Sequence, residues 1–428
     1  MRGLVKGPLA RWRQAVWVGT VTPLTMGVPG LRFLFARRGE RWSELASLFW
    51  RSLRAEGIGP TWRRLRSYAG SVAAAAATPL PPTTTRKDVL FVAGCPGHPR
   101  RWRCEHALER RAARGGTGDL VDHPAAPLGD YVDCYGEFVL QRVPHDPSVE
   151  AFVRAAKAHG KRVVVDVDDL VIHERYGPEL PILAGYTELA RELYVQQLRR
   201  IGQVLQLVDE ATAATDELAA ALRQCFPHLR VVVVPNVASA AMVARSEAAL
   251  AAAPDVAPDG PITLGYFAGT RTHDGDLASI APALAEVLAA RPAARLLLVG
   301  EVAVPDALAG FAARIDHRAP VPWPELPALL RRADVHLVPL LDTRFTACKS
   351  ELKWVEAALV GRPVVASAVG PYRRCVRHGE NGWLAATPAA FAAALRSAID
   401  DPAARVRLGA RARQDVLAAW TTAAVPNG

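Results

Sequence analysis

ADVHLVPLLDTRFTACKSELKWVEAALVGRPVVASAVG, residues Ala333–Gly370, holds two short apolar runs, a helical pattern between them and a glycine turn at its end. The runs around Val335 and Pro363 to Ser367 are bounded by charge, proline and Gly361, as buried parallel strands are, and Gly361 suits a helix stop. Between them the spacing predicts a helix over Thr346–Val360 with Leu352, Val355 and Leu359 facing the sheet. A second stripe of that helix carries Lys349, Lys353 and Glu356. One βαβ unit follows, with two cations and a carboxylate at the carboxyl end of a parallel strand, where open α/β sheets bind ligands. Ordinary i, i+4 pairing on a solvated face is the plainer account of the same stripe.

Working outward, strand and helix patterns alternate from Asp88 to Asn236 and again from Ile262 to the carboxyl terminus. Near-continuous valine runs at 161–167 and 230–236 predict strands buried on both faces, hence parallel sheets covered by helices. The expected division is a basic helical extension and Pro/Thr/Ala linker at 1–87, a Rossmann-like domain at 88–240, an interdomain linker at 241–261 and a second Rossmann-like domain at 262–428. The fold class is α/β, with two doubly wound domains facing a cleft.

The stretch KSELKWVEAALVGRPVVASAVGPYRRCVRHGENGWLA, residues 349–385, resembles the carboxyl-terminal signature of GT-B glycosyltransferases of the glycosyltransferase family 4 (group 1) kind. Glu356, Gly361, Pro363 to Ser367, Gly370, Asn381, Gly382 and Leu384 match it in order. In the first half, residues 137–146, 160–170, 209–218 and 234–236 look like bacterial polysaccharide-assembly members of that superfamily. RWRCEH at 101–106 is similar to an arginine-containing helix start near their acceptor site.

That resemblance implies a hexosyltransferase, retaining and metal-independent, moving a sugar from a nucleotide-sugar donor to a glycan or lipid-linked acceptor in cell-surface polysaccharide or glycolipid assembly. No cofactor is implied, because the nucleotide sugar is a substrate. A diphosphate asks for backbone N–H groups and a cation, and a ribose diol asks for a carboxylate. Gly269, Thr270 and Arg271 form the turn after the first strand of the second domain; Lys349, Lys353 and the Gly370 turn supply charge and backbone. Glu356 resembles the family's ribose-binding Glu, and Val321 lies where the family's base-contacting loop falls. Arg101 and Arg103 are expected on the acceptor side. If transfer inverts, His98, Asp169 and His173 are candidate bases by position. Cys348 stands where the family has the first of two paired Glu residues, which raises a second reading: a non-catalytic GT-B subunit that partners an active enzyme.

Asp166, Asp168 and Asp169 include an Asp-x-Asp, a metal signature in the other large glycosyltransferase fold, GT-A; here it ends a first-domain strand and is read as lining the cleft, with no metal. A nicotinamide dehydrogenase is disfavoured, since neither domain's first turn gives Gly-x-Gly-x-x-Gly.

The net charge of +10 is concentrated at the start: residues 1–80 hold thirteen Lys or Arg against three acids, and the remaining residues balance. Aromatics alternating with arginine over 41–68 suit a surface lying against inner-leaflet anionic lipid, so a cytoplasmic protein, peripheral on the membrane face, is expected. Nucleic acid is not, because no binding module accompanies the charge. Six cysteines without a CxxC pair fit a reducing compartment.

Overall fold

The computed structural model describes residues 49–63, 80–123, 126–252, 261–269 and 273–424. Two six-stranded parallel sheets carry the architecture. The first contains β1 (Lys87–Ala93), β2 (Gly118–Asp122), β3 (Tyr135–Gln141), β4 (Arg162–Val167), β5 (Glu210–Ala213) and β6 (Arg230–Val233), in the order β2-β1-β3-β4-β5-β6. The second contains β7 (Thr263–Ala268), β8 (Arg295–Gly300), β9 (Ile315–Arg318), β10 (Val335–Val338), β11 (Val364–Ser367) and β12 (Trp383–Ala385), in the order β12-β11-β10-β7-β8-β9.

Strand order reverses beside β1 and β3 in one sheet and beside β7 and β10 in the other, and ligand crevices open outside the carboxyl ends of strands at such points. The valine runs behave as their composition dictates: Val163, Val164, Val165 and Val167 of β4 are all buried. One apolar core lies under the first sheet with the helices Pro147–Ala158, Glu188–Leu205 and Asp216–Cys225. A second joins β7, β8, β10 and β11 to the helices Asp274–Ala290 and Pro388–Asp400.

Three local departures from the sequence reading bear on the site. The helix expected over Thr346–Val360 is broken: Arg344–Ala347 forms one turn, Cys348–Glu351 is irregular, and the helix resumes at Leu352–Leu359. Thr343 and Thr346 cap the short turn reciprocally, and Glu351 is held aside by accepting the indole N–H of Trp420 at 2.8 Å, so the chain stops and restarts. The connection at 241–261 is helical over Ala240–Ala252, with Met242, Ser246 and Ala249 buried. The chain's end also leaves its own domain: Ala238 and Thr421 pair as a bridge, and Thr422 Oγ1 donates to Glu109 Oε1 at 2.6 Å.

Gly300 shows why β7 and β8 can end side by side. Its φ is +112°, and a Cβ there would stand 1.6 Å from the Ala268 carbonyl oxygen. An Ala at this position must separate the two strand ends, so Gly300→Ala is expected to lose at least about 2 kcal/mol of stability in denaturant unfolding, whereas Gly129→Ala, whose Cβ meets nothing within 4 Å, stays within about 1 kcal/mol of wild type.

Candidate functional site

The carboxyl ends of the two sheets face each other, and charged residues following the strands meet between them. After β3, Arg142 adopts φ +48°, which turns its side chain back across the strand ends. Its Nε lies 2.6 Å from Asp168 Oδ1, an ion pair not aligned as a hydrogen bond, and its Nη2 is 3.9 Å from Asp169. From the opposite domain Lys349 Nζ reaches Asp169 Oδ2 at 3.2 Å and sits 4.2 Å from the Phe345 ring centroid. Burial alone would raise the Asp169 pKa; Lys349 and Arg142 together hold it below the usual carboxylate range. Asp168 goes the other way, raised by burial against the pull of Arg142.

The irregular segment after the short turn is gripped by the first domain. Thr215 Oγ1 donates to the Cys348 carbonyl at 3.0 Å, and Asn236 Nδ2 donates to Ser350 Oγ at 2.8 Å. The break therefore lets three successive residues, Cys348, Lys349 and Ser350, all face the other domain, which a continuous helix could not do.

Deeper in the second domain, at the β7/β10 reversal, a different group forms. Lys353 Nζ is buried without a hydrogen-bond partner among the described residues and lies 5.0 Å from the Tyr266 ring centroid. The Tyr266 hydroxyl donates to the His273 carbonyl at 2.9 Å, His273 Nδ1 contacts Asp276 Oδ2 at 2.8 Å, and Asp276 Oδ1 accepts from the Leu341 N–H at 2.9 Å. Burial brings Lys353 down to about 8, with Asp276 opposing and Lys349 reinforcing the fall. Burial likewise brings His273 to about 4, leaving the ring neutral at pH 7. One turn beyond Lys353, Glu356 Oε1 stands 3.7 Å from Arg101 Nη2; its pKa is raised by burial against Arg101 and Lys353.

Of the expected donor-side residues, Lys353 and Glu356 lie one turn apart on the helix Leu352–Leu359. Gly269 lies exposed at the end of β7; Thr270 and Arg271 lie outside the described residues. Val321 packs with Phe267 near Leu297 and Val299. Gly370 begins a short helix so close to the preceding turn that a Cβ would sit 2.8 Å from Ala347 Cα. Lys349 is displaced from the expected stripe, because the helix break turns it toward Asp169.

Of the expected acceptor-side residues, Arg101 reaches Glu356 instead, with its guanidinium 5.1 Å from the Trp323 ring centroid and 3.3 Å from His98 Nδ1. Arg103 is not free for an acceptor. Nε and Nη2 donate to Asp166 at 2.9 and 2.6 Å, and Nη1 donates to the Val234 carbonyl and to Asn236 Oδ1 at 2.7 and 2.9 Å. Both arginines are buried because residues Arg101–Glu105 run as a π-helical turn, a wider coil that places Arg101, Trp102, Arg103 and Cys104 all against protein.

His98 stays at the cleft, neutral because burial lowers its pKa, and Asp169 lines it. His173 is a capping residue: its Nδ1 accepts from the Arg175 N–H at 3.1 Å, and its ring tilts against Phe226. Asp166, Asp168 and Asp169 are claimed by Arg103, Arg142 and Lys349 respectively. Arg142, Tyr266, His273 and Asp276 went unselected in the sequence. Only Asp276 carried a local signal, an acid in the first turn of the helix after β7.

Residues 262–401 match the family model described as Glycosyl transferases group 1. D-inositol 3-phosphate glycosyltransferases are similar over part of the chain: that of Streptomyces avermitilis is 35% identical over 160 residues, covering 33% of each chain, and that of Thermomonospora curvata is 40% identical over 105 residues, covering 24% of this chain and 23% of the relative. The chain thus matches a third or less of the length of these curated relatives. Among solved structures, Anabaena HepE in complex with UDP superposes with a TM-score of 0.52 at 16% identity, covering 78% of this chain and 96% of that one. Sucrose-phosphate synthase from Thermosynechococcus elongatus gives 0.52 at 18%, covering 79% and 96%. The two parallel Rossmann-like sheets are a GT-B fold.

The Lys353 environment makes a pH-dependent prediction. Its folded pKa of about 8 lies below the ordinary 10.5, so between those values the unfolded chain binds the additional proton and stability rises with pH. Lys353→Met is expected to flatten that rise, a difference on the order of 3 kcal/mol between pH 7 and 10.5 in denaturant unfolding. Parallel curves for the two proteins would contradict the buried, unpartnered placement.

Proposed function

We propose that this chain, whose second domain belongs to the group 1 glycosyltransferases, moves a glycosyl group from a nucleoside diphosphate sugar to an acceptor hydroxyl. The observation that carries the reading is Lys353: a buried cation without a hydrogen-bond partner, one helical turn from a buried carboxylate, beside the β7/β10 reversal. A donor diphosphate supplies the missing anion, and Glu356 accepts the ribose hydroxyls once Arg101, now 3.7 Å away, yields to them. As the sugar leaves, charge grows on the diphosphate, and Lys353 stabilises it from a site already desolvated. Transfer without a metal is part of the same proposal, supported by the engagement of Asp166, Asp168 and Asp169 with protein cations; retention is proposed with it on the family resemblance alone. UDP is the first nucleotide to try, because HepE carries it on the same fold.

One observation favours the second reading, a GT-B subunit that binds donor without transfer. Cys348 is buried in the first-domain core, its thiol pushed up to about 12 by burial, so the position has neither a carboxylate nor a ready nucleophile. The two readings separate by turnover.

UDP, GDP and ADP are each added to the purified protein at 100 times the dissociation constant, where one site bound only in the folded state adds about 2.7 kcal/mol. One of them is expected to raise the melting temperature, with the rise lost in Glu356→Ala and Lys353→Met. Release of that diphosphate from its sugar conjugates then establishes transfer, and binding without release establishes the subunit. No shift with any diphosphate refutes the donor site.

A cytoplasmic location, peripheral on membrane, is also proposed. All six cysteines are unpaired, and among the described residues no helix is long and apolar enough to cross a membrane. In the helical residues 49–63, Trp50 and Ile58 are 47% and 76% exposed, and Arg51, paired with Glu192, and Arg54 are exposed as well. Co-sedimentation with phosphatidylglycerol vesicles is expected to fall several-fold in a Trp50→Asp, Ile58→Asp double variant; equal sedimentation removes these residues from the contact.

A further inference from the structure

The first sheet is covered unevenly. Its β4–β6 part is covered by helices on one face, while on the other the 101–112 helical segment packs chiefly beside β1 and leaves a cavity of about 410 Å³ over β3 to β6. Phe91, Val139, Val164 and Val232 form an apolar floor, and the volume is that of a small-molecule pocket.

Trp102, His106 and Arg110, four residues apart in succession, present one stripe of that helical segment to the cavity. Trp102 is 3% exposed and its Nε1 is buried without a hydrogen-bond partner. Arg110 is 8% exposed, its Nε is likewise unpartnered, and it makes no ion pair among the described residues. Buried donors of this kind are normally satisfied. The nearby carboxylates are occupied: Asp166 by Arg103, and Glu137 by Arg111 and Arg162. His106 Nδ1 donates to the Val237 carbonyl at 2.8 Å, and burial lowers its pKa to about 4, so the ring is neutral and adds no charge.

We infer that this cavity is a second ligand site, distinct from the cleft, which takes an amphipathic anion: a carboxylate or phosphate headgroup on Arg110, with an apolar body over Val139, Val164 and Val232. The anion supplies an acceptor for Arg110 Nε and the missing charge, and the floor supplies burial for the tail. The cavity lies apart from the cleft but touches its border: Trp102 also packs in one apolar cluster with Trp354 and Val355, and the Arg101 guanidinium lies 5.7 Å from its ring.

Titration calorimetry of the full chain with octyl phosphate, octanoate and inorganic phosphate tests it. Saturable binding of octyl phosphate or octanoate is expected, the tighter of the two naming the headgroup. Arg110→Met should weaken it at least tenfold, and Val164→Trp, which fills the floor, should abolish it with circular dichroism unchanged. Absence of saturable binding of either probe at roughly millimolar concentration overturns the site. So does undiminished binding by Arg110→Met, or by a folded Val164→Trp should Arg110→Met not fold. Inorganic phosphate binding as tightly as octyl phosphate would show that the apolar floor contributes nothing, and would overturn the amphipathic assignment.

Discussion

The Arg103–Asp166 pair, inside the first domain, is the contact that positions the segments this domain turns toward the second. It is buried at 4% and 3% exposure, doubly hydrogen-bonded, and completed by Thr212 Oγ1 on Asp166 and by the Val234 carbonyl and Asn236 on Arg103. Such a pair is weak evidence for net stability, since desolvation offsets most of its attraction, but removing one partner strands the other and costs about 3–5 kcal/mol. Its value here is positional. It fixes the helical segment that carries Arg101, the end of β4 that carries Asp168 and Asp169, and the chain leaving β6. Through Asn236 it then reaches Ser350, so the irregular segment of the second domain is registered against the first sheet by a continuous chain of hydrogen bonds.

Charge in the cleft follows from that register. Each acid of the first domain that points at the opening meets a cation: Asp166 meets Arg103, Asp168 meets Arg142, and Asp169 meets Lys349 from across the gap. Lys353 departs from this pattern. It lies on a helix packed against β10 and over an aromatic ring, where the first domain's acids do not reach it. Burial is therefore the largest influence on it, and an anionic ligand is the interaction that would reverse its depressed pKa. Two lysines four residues apart thus have different surroundings, one latching the domains and one buried without a hydrogen-bond partner among the described residues, because the chain kinks between them.

The sequence made the buried strands legible because β1 and β8 are apolar runs and β4 and β10 are broken only by Asp166 and His336. The pair of doubly wound domains was implied by resemblance and by the alternation of elements. β2 and β9 were not legible: GDLVD and IDHR are short and polar, as edge strands are, and carry no periodic apolar signal. The broken helix was hidden for a different reason. Leu352, Val355 and Leu359 obey a helical period whether or not the helix extends back to Thr346, and what stops it is the capping by Thr343 and the engagement of Cys348 and Ser350 by Thr215 and Asn236, residues over a hundred positions away. The engagement of Arg103 was hidden in the same way: RWRC gives no sign of the π turn that buries it or of Asp166, which binds it from sixty-three positions away.

The 101–112 helical segment joins the cleft to the cavity beside the first sheet. Arg101 at its start touches Glu356, while Trp102, His106 and Arg110 along its length face the cavity. Its position is set by Arg103 and by the His106 contact to Val237, in the irregular segment that follows β6. A ligand seated on Arg110 would press on the element that places Arg101, and a donor that displaces Arg101 from Glu356 would release that element from the other end. Reciprocity then follows from thermodynamics: if either ligand changes the preferred position of this segment, each changes the other's affinity by the same factor, and with no such differential contact the two sites are uncoupled however close they lie.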